Sequence, residues 1–259
     1  IPYNMDQYGN EVGYIDMFGA NLISNEWNEE TREGVMTFDG AVTCIGYNAF
    51  LFCWNLTSIT IPESISSIGG VAFYFCDGLT TITIPEYITS IGDGAFSGCR
   101  SLKEFNGKYA SEDNRCLIVD GVLNSFAIGC KLTTYSIPDS VTTIGDHAFQ
   151  ECSSLTSVTI PDSVTTIGNY AFASCRALTS VTIPDSVTTI GGFAFAGCDA
   201  LKEVYCKPTT PPSLDGSYVF DYNASNRIIY VPTASVDAYK AASGWKKYAY
   251  AIVPYNFAE

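Results

Sequence analysis

The chain has 259 residues, 47% hydrophobic and 15% charged, which is too apolar for disorder and long enough to bury a sizeable core. Thirteen Lys and Arg stand against 27 Asp and Glu, a formal net charge of −14. A nucleic acid would be repelled, so no nucleic-acid partner is expected, and no apolar run approaches the ~20 residues that span a bilayer.

Residues 1–40 carry much of the acidity, with Arg32 as their single base. This reads as a solvated end rather than a patch for a cationic partner. Segments 20–27 and 34–38, around Asn28–Glu33, read as a β-hairpin, and 1–40 is assigned as an N-terminal cap.

From residue 41 a period of 23 takes over. Pro62 and Pro85 keep the step, as do Pro138, Pro161 and Pro184. So do Phe50, Phe73 and Phe96, then Phe149, Phe172 and Phe195. "TSVTIPDSVTTIG" stands at 156–168 and again, unchanged, at 179–191. A unit of this kind cannot bury its apolar face alone; stacked copies make a continuous core, so 41–206 is assigned as a solenoid. In coil 155–177, Leu155, Val158 and Ile160 point inward, while Ser157 and Thr159 alternate outward as in a strand. Pro161, lacking an N–H, ends the pairing. Val164 and Ile167 point inward on the return side, Gly168 turns, and Ala171 and Phe172 plug the core. One strand per coil predicts a single parallel sheet with strands near 56–61, 79–84, 102–106, 132–137, 155–160, 178–183 and 201–206.

One unit, 102–131, departs from the rule. Leu102 and Leu132 are 30 residues apart instead of 23. Its "CLIVDGVLNSFA" (116–127) holds Asp120-Gly121 between apolar runs, a hairpin signal. It is either a decorated coil or a protruding ribbon that selects a partner. Lys103, Glu104 and Asn106 stand where other coils carry Ser and Thr.

Beyond 206, "KPTTPP" breaks the period and opens a C-terminal cap, 207–259. Ile228–Val231 reads as an added strand. Thr233 is placed as the N-cap of a helix to about Ala242, with Gly244 as its stop. Val236, Tyr239 and Trp245 are expected to seal the last coil.

The search for chemistry returns little. Cys53, Cys76, Cys99, Cys152, Cys175 and Cys198 recur once per coil, with Cys130 nearly in step, and read as buried thiols behaving as small hydrophobes. Parallel Cβ vectors oppose bridging between neighbours. Cys44, Cys116 and Cys206 are off register, and a disulfide among them stays open. No Cys-x-x-Cys suggests zinc. His147, the only histidine, reads as a surface residue. No nucleophile, metalloprotease or phosphate-loop motif is present, so no enzyme, cofactor or metal is expected.

Two surfaces remain. The strand face carries Ser58, Thr60, Thr81, Thr83, Thr134, Ser136, Ser157, Thr159, Ser180 and Thr182, the candidate ligand-binding residues. Threonine is also simply a good exposed strand former. Phe52, Trp54, Tyr74 and Phe75 form an aromatic group, expected to lie buried under the N-terminal cap; the alternative is an exposed patch.

Leu155-x-x-Val158-x-Ile160-Pro161, Val164-x-x-Ile167-Gly168 and Ala171-Phe172-x-x-Cys175, with their copies over about 35–206, resemble the 23-residue BspA-like leucine-rich repeats of bacterial surface proteins. The flanking "FGANLISNEW" and "IIYVPTASVDAYKAASGWKKY" resemble segments around such repeats in proteins of gut and oral anaerobes. The resemblance implies an α/β fold: a right-handed solenoid, mostly β and loop with short helical turns. Its parallel sheet lies on the concave face, and both ends are capped. It further implies a secreted or cell-surface location, with a signal peptide or lipid anchor removed, and binding rather than catalysis. Adhesion to a host extracellular or bacterial-surface protein is the implied activity. A glycan held on the Ser/Thr face and a purely structural spacer are the alternatives. A monomer is expected.

Overall fold

The computed structural model describes residues 17–30 and 33–257. The acid-rich stretch 1–16, and Arg32, lie outside the described residues.

The chain winds as stacked coils, most of which contribute a short strand on each of two sides. On the first side, Thr81–Ile84 pairs with Glu104–Gly107, and Thr134–Ser136 with Ser157–Thr159. Ser180–Ile183 pairs with Glu203–Cys206, followed by Ile228–Pro232 and Ile252–Tyr255; all these pairings are parallel. Inward Ile82, Tyr135, Val158, Val181 and Val204 are buried, and the residues flanking them face outward. The return side carries a second ladder that the sequence reading did not assign as strands. Cys44–Ile45, Ser67–Ile68 and Ser90–Ile91 form one run. Val122–Phe126, Thr143–Ile144, Thr166–Ile167, Thr189–Gly191 and Ser213–Asp215 form another.

The expected single seven-stranded sheet is broken instead into shorter ladders, and no strand forms over 56–61. Proline accounts for part of this. The carbonyl of Ile84 accepts from Lys108 N–H at 2.8 Å, and that of Ile183 from Lys207 N–H at 3.0 Å, 24 residues on. The residues 24 on from Ile61, Ile137 and Ile160 are Pro85, Pro161 and Pro184, which have no N–H to give. The strands Thr81–Ile84 and Ser180–Ile183, facing non-proline coils, run four residues, whereas Thr134–Ser136 and Ser157–Thr159 run three. The orphaned Ile61 carbonyl accepts instead from Tyr87 Oη at 2.5 Å.

The core is a column of phenylalanines. Phe149, Phe172 and Phe195 stack at 4.9 and 5.1 Å between centroids, and Phe50, Phe73 and Phe96 at 5.1 and 5.0 Å. The column divides at the longer unit into two apolar clusters. There Cys116–Val119 and Val122–Phe126 form the antiparallel hairpin that Asp120-Gly121 predicts. Cys116, Leu117, Leu123, Phe126 and Ala127 are buried, so the unit is a decorated coil and not a protruding ribbon. Two buried polar residues replace the missing ladder. Asn124 Nδ2 donates to Gly92 O at 2.7 Å, and Ser125 Oγ accepts from Phe96 N–H at 3.4 Å. Each supplies a hydrogen-bond partner to a backbone group that has no ladder partner there.

At the C-terminal end Tyr239 and Trp245 are fully buried, and Val236 packs against them from a half-buried position. Tyr239 Oη donates to Pro208 O and Trp245 Nε1 to Pro212 O, both at 2.8 Å, so the "KPTTPP" carbonyls are held by the rings that close the core. Thr233 is not the N-cap. It begins a 3-10 turn, Thr233–Ser235, and its hydroxyl donates to Tyr255 O; the α-helix is Val236–Ala241. At the other end the hairpin Leu22–Asn28/Glu33–Phe38 forms, but Ile23, Trp27 and Val35 on it are exposed. Met17 and Phe18 seal the first coil, Phe18 meeting Phe38 at 5.1 Å and Phe50 at 5.9 Å.

Candidate functional site

The repeated hydroxyls fall into two classes that sequence spacing cannot separate. One class ties coils together. Thr156 Oγ1 donates to Thr133 O at 2.9 Å, Thr179 Oγ1 to Thr156 O at 3.3 Å, and Thr165 and Thr188 do the same on the return side. Ser163 and Ser186 donate to Val141 O and Val164 O. The other class points outward from the strands. Thr134 and Ser136 lie beside Ser157 and Thr159 in register, with Ser180 and Thr182 on the next coil, joined by Thr179 N–H to Thr156 O at 3.2 Å. Among the described residues none of these six hydroxyls has a protein partner.

Four of the six, Ser157, Thr159, Ser180 and Thr182, line an open groove of about 740 Å³ together with Asp139, Asp162, Ser163 and Lys207. The other predicted site residues lie elsewhere. Thr81 and Thr83 face Glu104 and Asn106, and Asn106 Nδ2 donates to Thr81 Oγ1 at 3.0 Å. Ser58 and Thr60 are exposed on a segment without ladder bonds. The ten hydroxyls are therefore three separate groups, not one grid: the longer unit separates the last six from Thr81 and Thr83, and the lack of a strand over 56–61 separates Ser58 and Thr60 from these.

Two features of this face were missed in the sequence. Thr182 is followed in register by Tyr205 and Tyr230. Those rings stack at 4.7 Å, and Tyr255 meets both edge-on at 5.4 and 5.3 Å. The 23-residue step from Thr182 to Tyr205 was the available signal. The second feature is a row of exposed carboxylates, Asp139, Asp162 and Asp185, each directly after a repeated proline. Among the described residues the ion pairs are Arg100 with Asp77 and Glu151, Arg176 with Asp199, and Lys247 with Asp221, so this row is unpaired.

All ten cysteines are free, including Cys44, Cys116 and Cys206. The in-register thiols form a ladder of their own: Cys76, Cys99, Cys175 and Cys198 donate Sγ–H to the carbonyls of Phe50, Phe73, Phe149 and Phe172 at 3.1–3.2 Å. Burial pushes Cys99 and Cys152 up to about 12, which keeps them as thiols. Among the described residues no cluster of three His, Cys, Asp or Glu is placed to hold a metal ion.

His147 is half-buried rather than free at the surface. It has φ 60° and stacks on Tyr170, which stacks on Phe193, at 4.9 and 4.8 Å and within 3° of parallel. Its Nδ1 lies 2.7 Å from Gln150 Oε1, which also accepts from Tyr74 Oη. The expected burial of the aromatic group under the N-terminal cap does not occur: Phe52 is 43% and Trp54 62% exposed, while Tyr74 and Phe75 are half-buried. Arg100 lies over the Phe75 ring at 4.9 Å.

Residues 30–113 and 123–238 match the BspA type leucine rich repeat region, in six copies. Among solved structures, a leucine-rich repeat protein from Eubacterium ventriosum is 24% identical with a TM-score of 0.51, over 76% of this chain and 66% of that one. The pneumococcal vaccine antigen PcpA is 18% identical with a TM-score of 0.51, over 84% of this chain and 72% of that one. A leucine rich cell surface protein from Faecalibacterium prausnitzii is 23% identical with a TM-score of 0.41, over 82% and 69%. This chain thus spans just under two thirds of the length of the Eubacterium structure. No curated protein matches it in sequence. No helix among the described residues is long and apolar enough to cross a membrane.

Proposed function

The chain belongs to the BspA-type leucine-rich repeat family, and on that footing we propose that it is a non-enzymatic binding module, secreted or displayed at a cell surface, that holds its partner on the strand face. The partner class is a host extracellular or bacterial-surface protein, and the activity is adhesion. The binding role is assigned to the solenoid, 41–206, with 1–40 and 207–259 as its capping ends, acting as a monomer. The observation that carries the reading is the division of the hydroxyls. Where a Ser or Thr serves the scaffold its Oγ is spent on a neighbouring coil, whereas the six from Thr134 to Thr182 are left unspent, four of them lining an open groove. A polar partner can take up those donors and acceptors without displacing any intramolecular bond.

The test is surface plasmon resonance of the purified chain over immobilised fibronectin and fibrinogen, beside a Thr159→Lys/Thr182→Lys variant. Both positions are exposed, so the fold is expected to hold. Binding lost in the variant supports a site on the strand face. Binding kept assigns adhesion to another surface, the exposed Phe52 and Trp54 first. Absence of binding to either protein, with retention on a glycan array, replaces protein adhesion by carbohydrate binding through the same hydroxyls. Absence of any ligand, with indifference to surface substitution, leaves a structural spacer.

A further inference from the structure

We propose that the segment held on the strand face is an extended, cationic polypeptide, its Lys or Arg side chains seated along the Asp139–Asp162–Asp185 rim and against the Tyr205–Tyr230–Tyr255 cluster. This rests on the strand-face reading above and names the chemistry of the partner.

Charge complementarity selects the occupant. Adjacent coils lie about 4.8 Å apart, so the three carboxylates stand in a row ~10 Å long. An extended chain laid along it repeats side chains on one face every ~6.8 Å, which brings two long cationic side chains within reach of three acids. The row is exposed and forms no ion pair among the described residues. It also belongs to a chain of net charge −14, whose field draws cations and repels acidic partners. Asp139 and Asp162 line the groove that carries the unspent hydroxyls, so one segment can meet both. At Glu86, the equivalent acid before the longer unit, a cation already stands close by: Lys108 Nζ donates to the backbone carbonyls of Glu86 and Ile88, at 3.0 and 2.6 Å, though it forms no ion pair with the Glu86 carboxylate. Lys207, the one cation in the groove lining, follows Cys206 at the far end, and the cationic stretch is therefore assigned to the Asp139–Asp185 side. Beyond Thr182 the register passes to tyrosine, and partly exposed tyrosine faces and edges suit a Lys or Arg that has left the carboxylate row.

The experiment is fluorescence anisotropy of the whole chain with a labelled decapeptide of alternating Lys and Thr, beside Gln–Thr and Glu–Thr peptides of the same length. The Lys peptide alone is expected to bind, and more weakly as NaCl rises from ~50 to ~300 mM. Asp139→Asn/Asp162→Asn/Asp185→Asn should weaken it about tenfold, three screened pairs in all. A Glu29→Gln/Glu30→Gln/Glu112→Gln control, with the same change in net charge, should stay within about twofold. Equal binding of the Gln peptide, or equal loss in the control, overturns the proposal, the latter because binding would then follow net charge alone. If the Lys peptide fails to bind while Thr159→Lys/Thr182→Lys still abolishes retention on fibronectin or fibrinogen, the cationic partner is wrong and the strand face stands. If the Lys peptide binds and those two substitutions leave it unchanged, the strand-face reading itself falls.

Discussion

Phe172→Ala probes the column that holds the coils together. The ring is fully buried and lies between Phe149 at 4.9 Å and Phe195 at 5.1 Å, within 10° and 3° of parallel. Burial of about 150–200 Å² at ~25 cal/mol per Å² gives about 4 kcal/mol, inside the ~3–5 kcal/mol range for Phe→Ala in cores. The void has little room to collapse, because Phe149 N–H to Ala171 O at 2.7 Å and Phe172 N–H to Ala194 O at 2.8 Å fix the coil spacing. Phe50, at the N-terminal end, is only half-buried, with one stacked neighbour at 5.1 Å and one edge contact at 5.9 Å, so Phe50→Ala should cost about half as much. Urea unfolding followed by circular dichroism measures both, and thermal unfolding should show Phe172→Ala lower by about 8–16 °C. A loss below ~1.5 kcal/mol for Phe172→Ala, or equal losses for the two variants, would refute the reasoning that stacked burial, and not the backbone ladders, carries the solenoid.

Val71 has φ 48°, a poor conformation for a β-branched residue, and Asn48 occupies the equivalent position one coil earlier. Val71→Asn should therefore stabilise by about 0.5–1 kcal/mol in denaturant titration; a loss would mean that its contacts outweigh the strain. Thr156→Val should cost about 0.5–1 kcal/mol by removing a coil tie, while Thr159→Val should be neutral; equal effects would erase the distinction between spent and unspent hydroxyls. Cys99 and Cys152, held as thiols up to about 12, should react with a disulfide reagent at about pH 8 at least ~1000-fold more slowly than in denaturant, where all ten cysteines titrate. Rapid native labelling of either would contradict their burial. The same groups predict an alkaline limit. Their folded values lie above the ordinary thiol value of about 8.5, so their contribution is complete below that pH and is lost as pH rises towards 12. Denaturation midpoints unchanged from about pH 8 to 11 would contradict it.

Much of the fold was legible because each coil repeats one local pattern. Leu155, Val158, Ile160, Val164, Ile167, Ala171, Phe172 and Cys175 read as inward from spacing alone, and all are buried. Asp120-Gly121 marked its hairpin because a turn is decided by a few adjacent residues. The N-cap at Thr233 was misplaced because its hydroxyl has a partner far along the chain, Tyr255 O, that a local rule does not weigh. The exposure of Phe52 and Trp54 was missed for the converse reason. The cap expected to cover them packs elsewhere, through Phe18 on Phe38 and Phe50.

For the candidate site, the sequence by itself determined which residues alternate outward along a strand, since the pleat has a period of two and needs no neighbour to define it. Only the tertiary structure decided what lies beside them. It showed that Pro85, Pro161 and Pro184 leave the carbonyls of Ile61, Ile137 and Ile160 without an N–H 24 residues on, whereas Lys108 and Lys207 supply one to Ile84 and Ile183. It also showed that Thr156 spends its hydroxyl and Thr159 does not, that Asn106 takes up Thr81, and that Tyr205, Tyr230 and Tyr255 gather at the end of the hydroxyl rows. Each of these is a relation between residues more than 20 positions apart. Inward and outward are properties of one coil, but a partner exists only once the coils are stacked.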